Sequence, residues 1–329
     1  MGIFLTRHSG RRTPMKVPGL VLSAILALVM ASDSRASSFK IIPEFDSSIT
    51  SDPNAAVIES TIDTAIETYE AIFNNPITLH ITFSEMTGGL GESSFNLYQI
   101  PYSEFYTALG DETPSPQDTL ALASLPDTTD NPVTGTSEML IKPANAAALG
   151  INLGLPPNMS DGTVSINTSL TTPGSSGTSG SYSLLSVTEH EIDEILGLGS
   201  TLGLTLPGNE ANMPSPEDLY RYDASGNRSF TTSSTAQAYF SIDGGATLLA
   251  QFNNTGVGDY GDWASSGTPQ VQDAFATPGS SPTPGPNEIT ALNVIGYELI
   301  TPEPATWWLV PAGLAVVIWR RRARYTGRG

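Results

Sequence analysis

The sequence predicts a single α+β domain, because helical and strand patterns follow one another without a linker long enough to separate two cores. Two neighbouring stretches carry this prediction. Isoleucine and aromatic residues recur every three or four positions between residues 58 and 73, which is typical of an amphipathic helix. Directly afterwards, I-T-L-H-I-T-F over residues 77–83 alternates apolar and polar side chains, which is typical of a half-buried strand.

The first helix has recognisable start and stop signals. Asp52 is a good N-cap, Pro53 suits the first helical position, and Pro76 ends the pattern. In the strand that follows, His80 shares the polar face with threonines. His80 could therefore be a metal ligand, but a histidine on the polar face of a strand is the favoured interpretation.

The remaining elements are predicted from local periodicity and turn residues. In chain order they are a short helix at 102–109, a long Pro/Asp/Thr-rich loop at 111–136, a helical turn at 144–150, a strand at 163–169, a surface connection at 171–181, a helix at 186–196, a hairpin at 238–249 and a closing helix at 288–297. In the closing helix Ile289, Leu292 and Ile295 should face inward, and Gly296 should end it.

Residues 1–36 are predicted to be a signal peptide. Basic residues precede an apolar run over 17–31, and Ser34-Arg35-Ala36 offers small residues at the positions a signal peptidase inspects, which places cleavage before Ser37. A retained membrane anchor is the weaker alternative, because the apolar run is short for a span. We therefore expect an exported protein whose domain occupies residues 37–300.

Residues 301–329 are predicted to form a sorting signal with a transmembrane helix. An apolar run over 305–319 has tryptophan at both ends and is followed by arginines, which favour the cytoplasmic side. With Pro302-Glu303-Pro304 before it, this tail resembles the PEP-CTERM sorting signal of Gram-negative bacteria. The resemblance implies transient anchoring in the inner membrane and recognition by an exosortase-type enzyme that delivers the body to the outer surface. An ordinary single-span anchor is the alternative.

The charge of the body excludes one class of partner. Between Ser37 and Pro302 there are 31 acidic residues and four basic ones, a net charge of about −27. Such a surface argues against nucleic acid as a partner. The chain has no cysteine, so neither disulfides nor thiolate chemistry contributes.

The stretch S-V-T-E-H-E-I-D-E-I-L-G-L-G-S, residues 186–200, contains the residues that indicate chemistry. Ser186 or Thr188 can cap this helix, and Gly197 can end it. His190 and Glu194 are four residues apart and share a helix face, with Glu191 beside them. In the H-E-x-x-H pattern two histidines at this spacing bind zinc and the glutamate is the general base. Here Glu194 replaces the second histidine, and glutamate is itself a zinc ligand in some sites.

A third metal ligand is not evident next to the helix. Ser200 occupies the position at which the extended pattern places it, and a neutral hydroxyl is a poor ligand. Asp218 is the best distant candidate, with Glu217 and Glu210 behind it. The crowding of carboxylates around His190 is repulsive without a cation, which favours a bound metal ion. The plain alternative is an acidic, solvated helix face.

Five motifs occur in order along the body. They are H-E-I-x-x-x-L-G-x-x-S from 190, D-L-Y-R-Y from 218, Y-F-S-I-D-G-G-A-T from 239, G-D-Y-G-D-W from 258 and E-I-T-A-L-N-V-I-G-Y from 288. In these motifs and their order the body resembles secreted bacterial zincin-like metalloproteases, which implies a mixed sheet, an active-site-type helix and a C-terminal helical and hairpin subdomain. Members with a complete site have H-E-I-G-H and tend to place histidine before the tryptophan, where this chain has Asp193-Glu194 and Gly261-Asp262-Trp263.

Two functions follow as expectations. The first is a surface-sorted zinc-dependent peptidase that acts on a protein or peptide substrate, with His190, Glu194 and Asp218 as metal ligands and Glu191 as the base. The second is a catalytically inactive protein of the same fold that serves at the surface or in the extracellular matrix.

Overall fold

The structure, a computed structural model, describes residues 38–300 except 113–114, 175–176, 209 and 211–212. It has a mixed α+β fold, as the sequence predicts. The helices are α1 (Ser47–Thr50), α2 (Ala55–Ile72), α3 (Tyr102–Asp111), α4 (Pro116–Ala123), α5 (Pro143–Ala148), α6 (Leu184–Leu196) and α7 (Pro286–Val294), with a 3-10 helix at Glu217–Tyr220. The strands are β1 (Lys40–Phe45), β2 (Thr78–Glu85), β3 (Gly91–Ser94), β4 (Tyr98–Pro101), β5 (Glu138–Ile141), β6 (Gly162–Ile166), β7 (Thr171–Thr172), β8 (Tyr182–Ser183), β9 (Arg221–Tyr222), β10 (Tyr239–Phe240) and β11 (Ala250–Gln251).

Both predicted targeting segments, the signal peptide and the sorting tail with its transmembrane helix, lie outside the described residues. Across the part of the chain that the structure describes, every helix falls short of the length and apolar character that crossing a bilayer requires.

The largest sheet is mixed and has the strand order β1-β2-β6-β3. Strands β1, β2 and β6 run parallel, and β3 pairs antiparallel with β6 at one edge. In β2 the alternation is as predicted, since Leu79, Ile81 and Phe83 are buried and His80 lies half-buried on the other face. The sheet therefore offers one apolar face for helices to cover and leaves β3 as an edge strand.

Helices α2 and α6 pack against each other, and α6 also contacts β3 and β6. The apolar side of α2 is buried as its periodicity predicts, and Tyr69 at its end is fully buried. The Tyr69 hydroxyl donates a hydrogen bond of 2.7 Å to the carbonyl of Glu189 on α6. This contact helps to fix α6 against the sheet, beside the edge strand β3.

An aromatic cluster organises the C-terminal part of the domain. Trp263 is fully buried against Phe240 and Phe252, with ring centroids 5.6 and 5.1 Å from its own. Its indole nitrogen donates a hydrogen bond of 3.1 Å to Glu288 on α7. Because the packing and the hydrogen bond fix Trp263, its neighbour Asp262 also occupies a defined place.

Two predicted helix starts are wrong, and local capping explains both. Helix α2 begins at Ala55 with Asn54 as its N-cap, because the Asp52 carboxylate accepts from the Asn54 amide and closes a separate turn before the helix. Helix α6 begins at Leu184, because the Ser183 hydroxyl caps it by accepting from the Ser186 amide. Ser186 and Thr188, the predicted caps, therefore lie inside the helix.

The predicted loop over residues 111–136 contains helix α4. Its start is fixed by a capping box in which Ser115 and Asp118 each accept a hydrogen bond from the other's backbone amide, with Pro116 at the first helical position. The Pro/Asp/Thr-rich composition of this segment favours a loop, so the capping box is not recognised from the sequence. The closing helix has Leu292 and Ile295 buried as predicted, whereas Ile289 is only half-buried.

Two carboxyl groups, the half-buried Glu112 and the fully buried Glu189, link stability to pH. Burial raises the pKa of Glu112 to about 8, and it raises the pKa of Glu189 to about 8 against the opposing hydrogen bond from Thr68. In the unfolded chain a glutamate titrates at about 4.3. Between these two values the native state binds more protons than the unfolded state, so the free energy of unfolding falls as pH rises.

We therefore expect the metal-free protein to be more stable at pH 5 than at pH 8. The urea midpoint measured in a chelating buffer should fall over this range, and Glu112→Gln together with Glu189→Gln should flatten the decline. A midpoint that is constant or rises toward pH 8 would contradict the protonated state of these buried carboxyls.

Candidate metal centre

Helix α6 and the turn after it position the predicted site. The helix presents His190, Glu191 and Glu194 within little more than one turn. It ends at Gly197, whose φ of 143° is a conformation that favours glycine, and Gly199 has a φ of 106°. Lys142 lies beneath this end and donates hydrogen bonds to the carbonyls of Glu194 (2.7 Å) and Leu198 (2.5 Å). The last turn of the helix is therefore fixed.

His190, Glu191 and Glu194 bring three ligand atoms together, as the sequence predicts for the first and last of them. One ligand atom from each lies within 4.8 Å of the other two. The separation between His190 Nε2 and Glu194 Oε1 is 3.7 Å. Among the described residues this group has the composition and spacing of a metal site.

Asp262, which the sequence does not predict at the site, lies beside this group of three. Its Oδ1 lies 3.8 Å from His190 Nε2, and the residue is only 4% exposed. Gln272, which is fully buried, donates a hydrogen bond of 3.0 Å to this same oxygen. His190 Nε2 thus has two carboxylates, Glu194 and Asp262, at nearly equal distances.

Asp218, the predicted third ligand, does not reach this cluster. Its carboxylate accepts hydrogen bonds from the hydroxyls of Ser200, Thr201 and Ser215, and from backbone amides of the same turn. Glu217 is also occupied, since it accepts from the Gly199 amide at 2.5 Å. Neither these two nor Glu210 lines the cleft described below. Asp218 fixes the turn after helix α6 instead of contributing a ligand to the metal site.

A close backbone contact brings Asp262 to the helix. Gly261 packs on Gly199, and a Cβ on Gly261 would lie 2.5 Å from the Gly199 Cα, so only glycine fits there. The signal that could have found Asp262 is Gly261-Asp262-Trp263 itself, in which aspartate stands where the resembled family places a histidine. An aspartate at this position can replace a histidine as a metal ligand.

Each candidate ligand is oriented by a neighbour. His190 Nδ1 lies 2.9 Å from the carbonyl of Val271, so Nδ1 carries a proton and Nε2 faces the carboxylates. Ser93 on β3 donates to Glu194 Oε2. Together with the hydrogen bond from Gln272 to Asp262, these contacts hold the three side chains in place, as metal centres require.

The charges of His190 and Glu194 stabilise each other. Burial acts to lower the pKa of His190, but contact with Glu194 and the charges of Asp262 and Glu191 outweigh it and raise the pKa well above its usual value. Burial acts to raise the pKa of Glu194, but His190, Lys142 and Ser93 lower it to about 2. Glu194 is therefore ionised at any working pH, as a ligand must be.

The pKa values of Glu191 and Asp262 are raised, in contrast to that of Glu194. Burial, reinforced by the charge of Glu194, raises the pKa of Glu191 well above its usual value. Burial also raises the pKa of Asp262, against the opposing charge of His190. Several acidic groups so close together compete for few protons, and a divalent cation would relieve this repulsion.

The four residues open into a cleft of about 370 Å³. One wall is the edge strand β3, the floor is helix α6, and the opposite wall is formed by segments between residues 258 and 282. Apolar side chains such as Tyr182, Val187 and Val271 line it together with the acidic groups. This shape gives a ligand direct access to the cluster.

Two separations between possible donor atoms are close to those found around a small divalent cation. Ligands about 2.1 Å from a tetrahedrally coordinated zinc ion are about 3.4 Å apart, and the observed 3.7 and 3.8 Å from His190 Nε2 are within a few tenths of an ångström of that spacing. Comparison with protein-family models, curated proteins and solved structures gave no match to this chain. The fold and site therefore define, by geometry alone, an α+β protein with a candidate metal centre of one imidazole and several carboxylates.

Proposed function

We propose that this protein is an exported, surface-sorted, zincin-like peptidase with an altered zinc site. The observation that carries the proposal is the convergence of Glu194 and Asp262 on the Nε2 atom of His190, with Glu191 beside them, in an open cleft. Export through the signal peptide, transient anchoring in the inner membrane by the sorting tail and processing by an exosortase-type enzyme belong to the same proposal and rest on the sequence.

His190, Glu194 and Asp262 would hold the metal ion, with Asp262 in place of the predicted Asp218. A zinc ion bound there would polarise a scissile carbonyl and lower the pKa of a bound water. Glu191 would act as the general base. Its carboxylate would accept the proton of the attacking water and deliver it to the leaving amine, and burial, which raises its pKa, favours the second of these transfers.

The edge strand supports a peptide as the substrate. Strand β3 pairs with β6 on one side only, so its other edge can pair with an extended chain. Gly91, Glu92 and Ser93 of this strand line the cleft together with His190 and Glu191. A peptide added along β3 would run across the candidate metal centre.

Gly91 gives a mutational test of the base. A Cβ at this position would collide with the carboxylate of Glu191 and with Val187. We expect Gly91→Ala to lower peptidase activity at least about tenfold, because a misplaced base loses most of its effect. The rate should be measured on a denatured protein substrate.

Gly88→Ala is the matched control for this change, because a Cβ there would have no neighbour within 4 Å. It should retain full activity. Equal activity of the two variants would show that the Glu191 carboxylate does not act from the position beside β3.

Cleavage tested against metal content decides the proposal. The purified protein should cleave a denatured protein in the presence of zinc, lose the activity in a chelator and regain it when zinc returns. Absence of cleavage at saturating zinc, across several denatured substrates, would refute the peptidase.

A catalytically inactive surface or matrix protein of the same fold is the second candidate. The observation that favours it is the ion pair between His190 and Glu194, in which the carboxylate occupying the second histidine position neutralises the only imidazole of the cluster. This candidate predicts an intact cleft that binds peptide and neither retains zinc nor cleaves.

A further inference from the structure

The cleft is strongly acidic. Among the described residues six carboxylates line it, and His190 is the one lining side chain with basic character. They are Glu92, Glu191, Glu194, Asp259, Asp262 and Asp273. With a metal ion held by His190, Glu194 and Asp262, and with Lys142 acting on Asp259 from beneath helix α6, Asp273 would still have no basic side chain paired with it among the described residues. The chemical complement of such a cleft is a positively charged group.

The four basic side chains of the described body, those of lysine and arginine, bind groups outside the cleft. Lys40 pairs with Glu70 at 2.5 Å, and Lys142 binds backbone carbonyls beneath helix α6. Arg221 donates to the carbonyl of Tyr260 at 2.5 Å, and Arg228 to that of Ser124 at 2.9 Å. None of these four lines the cleft, although the charge of Lys142 acts on Glu194 and Asp259 from beneath it, so a counterion inside the cleft would come from a bound molecule.

Asp273 is the carboxylate that most clearly lacks a partner. It is 7% exposed and lies in the wall of the cleft. Its Oδ2 accepts from the Gln270 amide at 3.0 Å, whereas its buried Oδ1 has no hydrogen-bond partner. A buried carboxylate oxygen without a donor is costly and rare in folded proteins, so a donor from a ligand would stabilise it.

We propose that Asp273 receives the ammonium group of a lysine side chain, so that the cleft selects peptides that carry lysine. The inference rests on the proposed function, which supplies the peptide. Because little of Asp273 is exposed, the compact ammonium of lysine suits it better than the broad planar fork of arginine. The apolar residues of the cleft, such as Val271 and Ala274, would contact the methylene stem of the same side chain.

The test compares two fluorescein-labelled octapeptides that differ only in a central lysine or norleucine, which has a similar apolar stem without the ammonium. Fluorescence anisotropy with the purified full chain at pH 8, in chelator so that no cleavage occurs, gives both dissociation constants. We expect the lysine peptide to bind about tenfold more tightly, and the preference to weaken in high salt.

Asp273→Asn should reduce the preference to nearly one. Asp63→Asn is the matched control, because Asp63 is exposed on helix α2 and the change in charge is the same. A wild-type ratio near one, or a tenfold preference that survives Asp273→Asn, would overturn the inference. Because the readout is binding, a lysine preference without any cleavage would count against the proposed peptidase alone, and cleavage without the preference against this inference alone.

Discussion

Replacing His190 by alanine is expected to abolish stoichiometric zinc binding and, with it, peptidase activity. His190 supplies the only nitrogen donor of the cluster, and both Glu194 and Asp262 face its Nε2. Three remaining carboxylates would repel one another without the imidazole between them. Loss of a residue that only orients a metal ligand weakens metal binding by about 10–100-fold. Loss of the ligand His190 itself should therefore weaken zinc binding at least about 100-fold.

The measurement is zinc content after dialysis, with binding followed by calorimetry. His80→Ala is the matched control, because His80 is the other histidine of the described body and lies half-buried on strand β2 outside the cluster. His80→Ala should bind zinc as the wild type does. Unchanged zinc binding in His190→Ala would place the metal elsewhere.

Replacing Glu191 by glutamine should separate metal binding from chemistry. The amide cannot accept the proton of water, so we expect activity to fall by about 10²–10⁴-fold, the usual contribution of a general base. The change keeps the shape of the side chain and leaves His190, Glu194 and Asp262 in place. Zinc content should therefore remain close to that of the wild type.

Glu67→Gln, an exposed change on helix α2, is the control for loss of one negative charge. It should leave activity and zinc content unaltered. If Glu191→Gln lost zinc to the same extent as His190→Ala, Glu191 would be a ligand and the base would have to be another group. Full activity in Glu191→Gln would contradict the proposed role of Glu191 as the general base.

The sequence predicts most of the scaffold because apolar periodicity determines it. Helix α2, strand β2 and helix α6 follow from patterns in which each apolar residue faces the core. Errors occur where local hydrogen bonds compete with the simplest capping signal, as at Asp52 and Ser183, and where a capping box at Ser115 lies within loop-like composition. These are effects of single side chains that a periodicity argument does not weigh.

The candidate site is predictable only where it lies on one helix. His190, Glu191 and Glu194 follow from helical spacing, because residues four apart share a face whatever the rest of the fold does. Asp262 lies 68 positions after Glu194 in the chain. It is held near His190 because Gly261 packs on Gly199 and Trp263 is buried. Asp218 is much closer in sequence, yet three neighbouring hydroxyls hold it in a turn. Long-range packing therefore determines that Asp262, and not Asp218, lies beside His190, and the local sequence pattern does not encode this packing.

Anomalous diffraction at the zinc absorption edge, from crystals of the protein grown with zinc, tests the central claim most directly. We predict a single strong peak within coordination distance of His190 Nε2 and of carboxylate oxygens of Glu194 and Asp262, and none near Asp218. A cleft without a peak at saturating zinc, or a peak that leaves His190 uncoordinated, would contradict the account.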